Sequence, residues 1–213
     1  MDGMNRRDAF KVAGAGLVGG GAALGAAAPD SAATPVGGAQ GPGTHLFHLT
    51  AAKPSEYDGG SLRGANEQTF PVLAGQDASV YFVTLEVGGI REPHWHPNAW
   101  ELNFVVSGHA HWTVLGTHPD GSYHNDEFDA GPGDLVFAPT GFFHYFANTS
   151  PTDPLTVLIV FNSSTPEPND DLGIVGSFNS VPRAVIAATF GIPVSALDGI
   201  PTEVRPVVIT RAR

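Results

Sequence analysis

Gly88-Gly89-Ile90-Arg91-Glu92-Pro93-His94-Trp95-His96-Pro97-Asn98-Ala99-Trp100-Glu101, running on into Leu102-Asn103-Phe104-Val105-Val106-Ser107-Gly108, organises the reading of this 213-residue chain. Residues two apart on a strand project from the same face, so His94 and His96 present both imidazoles together. Glu101 follows after a short turn and can add a carboxylate oxygen. A second stretch, Gly133-Asp134-Leu135-Val136-Phe137-Ala138-Pro139-Thr140-Gly141-Phe142-Phe143-His144, ends in a histidine flanked by aromatics. Alone, His144 reads as a core residue. Beside the first stretch it completes three imidazoles and a carboxylate, a set suited to a divalent cation.

Outward from these stretches the chain reads as strands. Residues 80–87, 102–106, 110–115, 135–138, 144–148 and 155–161 are short apolar runs or alternate with period two. Gly88-Gly89, Ser107-Gly108, Pro119-Asp120-Gly121, Gly131-Pro132-Gly133 and residues 149–154 supply turns between them. Short strands at this spacing predict a sandwich or barrel, with double-sheet jelly rolls among the options. Residues 182–190 switch to helical periodicity, with Gly191 to end the helix, and Pro193 opens a second short helix through Leu197. The strand-rich module occurs once.

Composition narrows the function. Apolar residues make up 42% of the chain, enough to build a core, and 27 Gly with 18 Pro suit an architecture of many turns. Ten basic residues against 21 acidic give a net charge of −11. Lysine occurs only at positions 11 and 53, so no basic stripe exists for nucleic acid or an anionic membrane surface. Cysteine is absent, which excludes disulfides, thiolate metal sites and a cysteine nucleophile. His109 and His111 form another same-face pair, but Ala110, Trp112 and Val114 share the opposite, interior face, so this pair reads as surface. His45, His48, His118 and His124 fall in loop or edge contexts and read as solvated.

The N-terminal stretch Asn5-Arg6-Arg7-Asp8-Ala9-Phe10-Lys11 precedes an Ala/Gly-rich run ending at Ala26-Ala27-Ala28. It resembles a twin-arginine export signal over residues 1–28, with Ala9 standing where such signals usually carry Phe. The run is too weakly apolar for a stable membrane anchor. Its removal takes away three basic and two acidic groups, leaving 7 minus 19, or −12. Residues 29–43 read as a disordered linker and residues 44–213 as the folded domain. The expected location is the periplasm or outside the cell.

The two histidine stretches resemble the paired motifs of the cupin superfamily. Gly88, His94, His96, Glu101 and Gly108 match the first, while Gly133, Pro139, Gly141, His144 and Asn148 match the second. The resemblance implies an all-β jelly-roll (double-stranded β-helix) barrel, followed here by the short C-terminal helical segment. It also implies a metal held inside by His94, His96, Glu101 and His144. If the ion is octahedral, two positions stay open. Mn(II) or Fe(II) suits that mixture, and ligand type alone leaves Ni and Co possible.

Residues 45–209 are similar, more closely, to one half of the bacterial oxalate decarboxylases. The shared stretches include Arg91-Glu92 before His94, Asp58-Gly59-Gly60-Ser61-Leu62-Arg63, and Pro182-Arg183-Ala184-Val185-Ile186. The resemblance implies Mn(II) with dioxygen as co-reactant, and cleavage of oxalate to formate and carbon dioxide. Arg91 would hold the substrate carboxylate, unless it serves as an ion-pair partner of Glu92. In that family a lid Glu delivers the proton. Here the comparable position falls on Pro168, with Glu167 next to it between two prolines; a solvated acidic loop is the competing reading. Those relatives carry two cupin units, so a single unit would meet its partner in a homo-oligomer. Oxalate oxidase-like chemistry and non-catalytic binding of metal or a small carboxylate are the alternative functions.

Overall fold

The computed structural model describes residues 44–212. The expected export signal (1–28) and linker (29–43) lie outside the described residues. Two antiparallel sheets form a jelly-roll sandwich. Its strands are β1 (Ser55–Tyr57), β2 (Gly60–Ala65), β3 (Ser79–Leu85), β4 (Gly89–Trp95), β5 (Glu101–Ser107) and β6 (Ala110–Thr117), then β7 (Tyr123–Ala130), β8 (Leu135–Ala138), β9 (Phe143–Asn148), β10 (Leu155–Phe161), β11 (Leu172–Gly173) and β12 (Ile209–Arg211). One sheet runs β1-β2-β3-β10-β5-β8 and the other β11-β4-β9-β6-β7, with β12 also paired to β4. The all-β expectation holds, and β8 and β10 span the residues expected of them.

Alternation does the folding work. Ser79, Tyr81, Val83 and Leu85 on β3 face inward, as do Leu155, Val157, Ile159 and Phe161 on β10, the strand beside it. Trp112 stacks on Phe146 at 4.3 Å between ring centroids, both sealed from solvent. Burying each such side chain is worth about 1.5–3 kcal/mol. Strand β7 escaped the sequence reading because it has no apolar alternation: Tyr123-His124-Asn125-Asp126-Glu127 is exposed throughout. Its eight-residue register with β6 makes it a strand instead.

Turns close the sandwich where the glycines stand. Gly108 has φ +83°, and a Cβ there would lie 2.7 Å from the Pro154 carbonyl oxygen, so no other residue fits without displacing backbone. Asn148 ties the same end together, its amide donating to the carbonyls of Leu85, Glu86 and Asp153.

Beyond the barrel, α1 (Ile174–Asn179) and α2 (Arg183–Phe190) precede a 3-10 turn at Val194–Leu197. Ile186, Ala187 and Leu197 form their own small core. Gly191, with φ +67°, ends α2 as its sequence suggested. Helix α1 was not expected; Gly176, Ser177 and Asn179 dilute its helical signal. Among the described residues no helix is long and apolar enough to cross a membrane.

Candidate metal centre

Both sheets contribute to one buried cluster. His94 lies on β4 opposite His144 on β9, while Glu101 opens β5 in the facing sheet. His96 sits just past the end of β4. All four are at most 2% exposed, and their ligand-type atoms lie within 4.8 Å of one another. Glu101 Oε2 is 2.9 Å from His144 Nε2, 3.0 Å from His96 Nε2 and 3.9 Å from His94 Nε2.

The rings are oriented from behind. Each Nδ1–H donates to a backbone carbonyl: His94 to Glu92 at 2.7 Å, His96 to Asp170 at 2.9 Å, His144 to Phe142 at 2.9 Å. A carbonyl only accepts, so Nδ1 carries the proton and Nε2 of each neutral ring aims a lone pair at the Glu101 carboxylate. Lone pairs converging on an anion need a cation or protons among them. Without a metal the protons are shared unevenly. Burial, then Arg91, drives the His94 pKa well below its ordinary value. For His96 burial works the same way, but its bond and charge pairing with Glu101 outweigh it and raise the pKa. Burial also opposes ionisation of Glu101, yet His144 and His96 hold its carboxyl well below the usual range. Glu101 Oε1 is buried with no hydrogen-bond partner. Three oriented imidazoles, one carboxylate and an unsatisfied oxygen fit a divalent cation of the Mn(II)–Zn(II) series.

Arg91 reaches the same interior through a bulge. Between Arg91 and His94, strand β4 carries one residue more than β9, which pairs Phe146 and His144 with them. Strict alternation would put residues three apart on opposite faces; the bulge at Glu92-Pro93 brings both inside. Arg91 is 1% exposed. Its Nη2 donates to Glu167 Oε1 at 3.0 Å and to Asp171 Oδ2, while Glu92 Oε1 stays 4.0 Å from Nη1. The structural partners of Arg91 are therefore Glu167 and Asp171 ahead of Glu92. Nη1 makes no hydrogen bond, nor do Glu167 Oε2 and Asp171 Oδ1.

Glu167 is not a solvated loop residue: it is 4% exposed and lies at the start of a 3-10 turn, Glu167–Asn169. Its amide donates to the Tyr81 hydroxyl at 2.6 Å. Burial, only partly offset by Arg91, raises the pKa of Glu167 and of Asp171. The sequence reading missed Asp171 as a partner of Arg91. Nor did it foresee the bracing role of Asp170, whose carboxylate accepts from the Asn98 and Ala99 amides while its carbonyl holds His96. Asn103, two residues after Glu101, is sealed inside with both amide atoms unpartnered. Inward phase on β5 was the one signal that could have found it. His109 and His111 stay outside the cluster, His111 pairing with Asp129.

A jelly-roll sandwich with this ligand set defines a metal-binding β-barrel class. The family model described as Cupin matches residues 47–196, and the chain belongs to the cupin family. It is 29% identical over 174 residues to a probable oxalate decarboxylase of Arthroderma benhamiae, covering 81% of this chain and 41% of that protein. To the oxalate decarboxylase of Bacillus subtilis it is 29% identical over 162 residues, covering 76% of this chain and 40% of that protein. A germin-like protein of Arabidopsis thaliana, subfamily T member 3, is 28% identical over 141 residues, covering 66% and 60%. The chain thus spans about two-fifths of the length of these decarboxylases. A solved structure of the Bacillus subtilis enzyme superposes with TM-score 0.65 at 23% identity, covering 76% of this chain and 40% of that one. Another, concerned with the Mn(II) centres of that enzyme, gives 0.66 at 26%, covering 82% and 44%.

Proposed function

We propose that this cupin is an oxalate decarboxylase-like carboxy-lyase, with Mn(II) held by His94, His96, Glu101 and His144. The observation that carries the reading is the buried guanidinium of Arg91, with Nη1 unpaired, bonded to the two carboxyls of Glu167 and Asp171, which themselves come within 4.8 Å of His94. Bound there, Mn(II) with dioxygen as co-reactant would supply the redox help for breaking a carbon–carbon bond and a chelating position for oxalate. Arg91 would fix one substrate carboxylate through its planar fork, in a site dry enough for the charge pair to be strong. Oxalate dianion plus one proton gives formate and carbon dioxide. The bond's electron pair stays on the carbon that becomes formate, and that carbon takes the proton. Glu167 suits the donor role because burial raises its pKa, which favours the protonated form.

The test uses Mn-loaded protein with oxalate under air, measuring formate and peroxide. Glu167→Gln should suppress formate by about a hundredfold or more while leaving bound metal unchanged. Formate unaffected by that change moves the acid to Asp171. Peroxide in place of formate from the wild type would make the protein oxidase-like. Neither product, with Mn present, would leave a carboxylate-binding cupin.

The outer face of β5 and β8 exposes Phe104 (40%), Leu135 (66%) and Phe137 (52%), which supports assembly as a homo-oligomer, readable by light scattering. Export through the Arg6-Arg7 signal completes the proposal and rests on the sequence motif alone.

A further inference from the structure

We infer a second metal site, separate from the barrel interior, on the β6–β7 hairpin: His118, His124 and Asp126 are placed to bind a borderline divalent cation such as Zn(II). The three residues offer ligand atoms within 4.8 Å of one another. His124 and Asp126 are two apart on β7 and project from one face. His118 stands one residue past β6, across the turn. Its ring stacks on that of His124 at 3.7 Å between centroids and 10° between planes, so one ring must turn out of the stack for both in-plane lone pairs to reach one ion. The turn itself is pinned: the His118 amide donates to the Ser122 carbonyl and the Gly121 amide to the His118 carbonyl, each at 2.8 Å. The closed turn fixes the ligands' backbone, so binding has to order only their side chains.

The protons decide what the cluster can hold. Ser122 Oγ–H donates to Asp120 Oδ1 at 2.5 Å, so the same oxygen accepts from His124 Nδ1–H at 2.9 Å. That fixes the tautomer and leaves the Nε2 lone pair of His124 facing Asp126 Oδ1 at 3.2 Å. Lone pair against carboxylate repels unless a proton or a metal cation stands between them. His118 adds the third donor. Its Nδ1 is 3.9 Å from Asp126 Oδ2, too far for a hydrogen bond, while its Nε2 is buried with no partner where the ring meets the edge of Phe142. In the tautomer with the proton on Nε2, Nδ1 would offer its lone pair on the side of Asp126. Two imidazoles and one carboxylate, with the outer side open to water, match Zn(II), Ni(II) or Cu(II) better than the all-oxygen preference of Ca(II) or Mg(II). The Asp120–Ser122–His124 chain repeats the arrangement that orients metal-binding imidazoles from behind. The site lies outside the barrel and plays no part in the proposed reaction.

Zn(II) alone is the probe, added to the metal-stripped full chain and counted by elemental analysis after gel filtration, with calorimetric titration for affinity. Wild type should retain two equivalents. His124→Ala should retain one, and His96→Ala should lose the other; His109→Ala, a surface change at neither site, should keep both. Ser122→Ala, which removes no ligand, should weaken the hairpin site about tenfold or more by releasing the His124 ring. The hairpin tip is exposed, so unchanged thermal unfolding of the metal-free variants separates lost binding from lost fold. Asp126→Asn provides an independent second ligand change should His124→Ala unfold. The inference is overturned if His124→Ala and Asp126→Asn keep wild-type zinc, or if the wild type binds a single equivalent that His96→Ala abolishes.

Discussion

Replacing Arg91 by Met tests whether one buried cation holds this interior together. Arg91 is 1% exposed, Glu167 4% and Asp171 7%. Met matches much of the arginine stem but leaves two carboxyls sealed in the barrel with no cation. Breaking a buried pair by removing one member costs about 3–5 kcal/mol, because the other charge stays behind. In a domain of this size each kcal/mol moves Tm by about 2–4 °C, so a fall on the order of 10 °C is expected. The loss must also depend on pH. Burial raises the folded-state pKa of both acids, and Arg91 opposes that rise. In its absence the pKa values climb further. An acid whose folded pKa lies above its unfolded value stabilises fully below the unfolded pKa and loses that contribution as pH rises through the folded one. The deficit of Arg91→Met should therefore be widest near neutrality and narrow on acidification into the ordinary carboxylate range. Thermal unfolding of wild type and variant, both metal-free, at about pH 7.5 and about pH 5 reads the difference directly. A gap below about 2 °C at both values, or one that widens in acid, would refute the reasoning.

Two further outcomes are expected. Gly108→Ala should destabilise more than Gly141→Ala: both need left-handed backbone, at about 1–2 kcal/mol, but only at Gly108 would the new Cβ meet backbone. Overpacking there adds about 1–3 kcal/mol, and equal unfolding midpoints in denaturant would contradict the assignment. Lys at both Arg6 and Arg7 should strand the precursor in the cytoplasm with residues 1–28 attached, and cell fractionation showing mature-length protein outside would remove the export proposal.

The apolar strands and the ligand cluster were legible because each rests on a local rule. A bounded apolar run marked β10, and the spacing of His94, His96 and Glu101 needs only a strand and a short turn. What escaped depends on contacts made at a distance. Strand β7 is polar on both faces and exists through its partner β6. Asp171 meets Arg91 from 80 residues away, and no periodicity announces such a pairing. The bulge at Glu92-Pro93 defeats alternation outright, since counting by twos separates Arg91 from His94. The prolines beside Glu167 suggested a stiff backbone, and the acidic residues around it a solvated loop. The effect of the prolines in the fold is the reverse: they start and shape a tight turn that delivers the carboxyl inward.

The partners of Arg91 carry a consequence for timing. In the proposed reaction a dicarboxylate arriving at the guanidinium would find Nη2 already taken by Glu167 and Asp171, two groups that imitate its own charge, with Nη1 left open. On that proposal the chain would keep a stand-in for its substrate, and the guanidinium would never be left a bare cation. Once evicted, Glu167 loses the positive neighbour that had favoured its ionised form. Its affinity for a proton would then rise, and it would rise because the substrate is seated. Arrival would itself load the donor, with no separate signal needed to tell the acid when it is wanted.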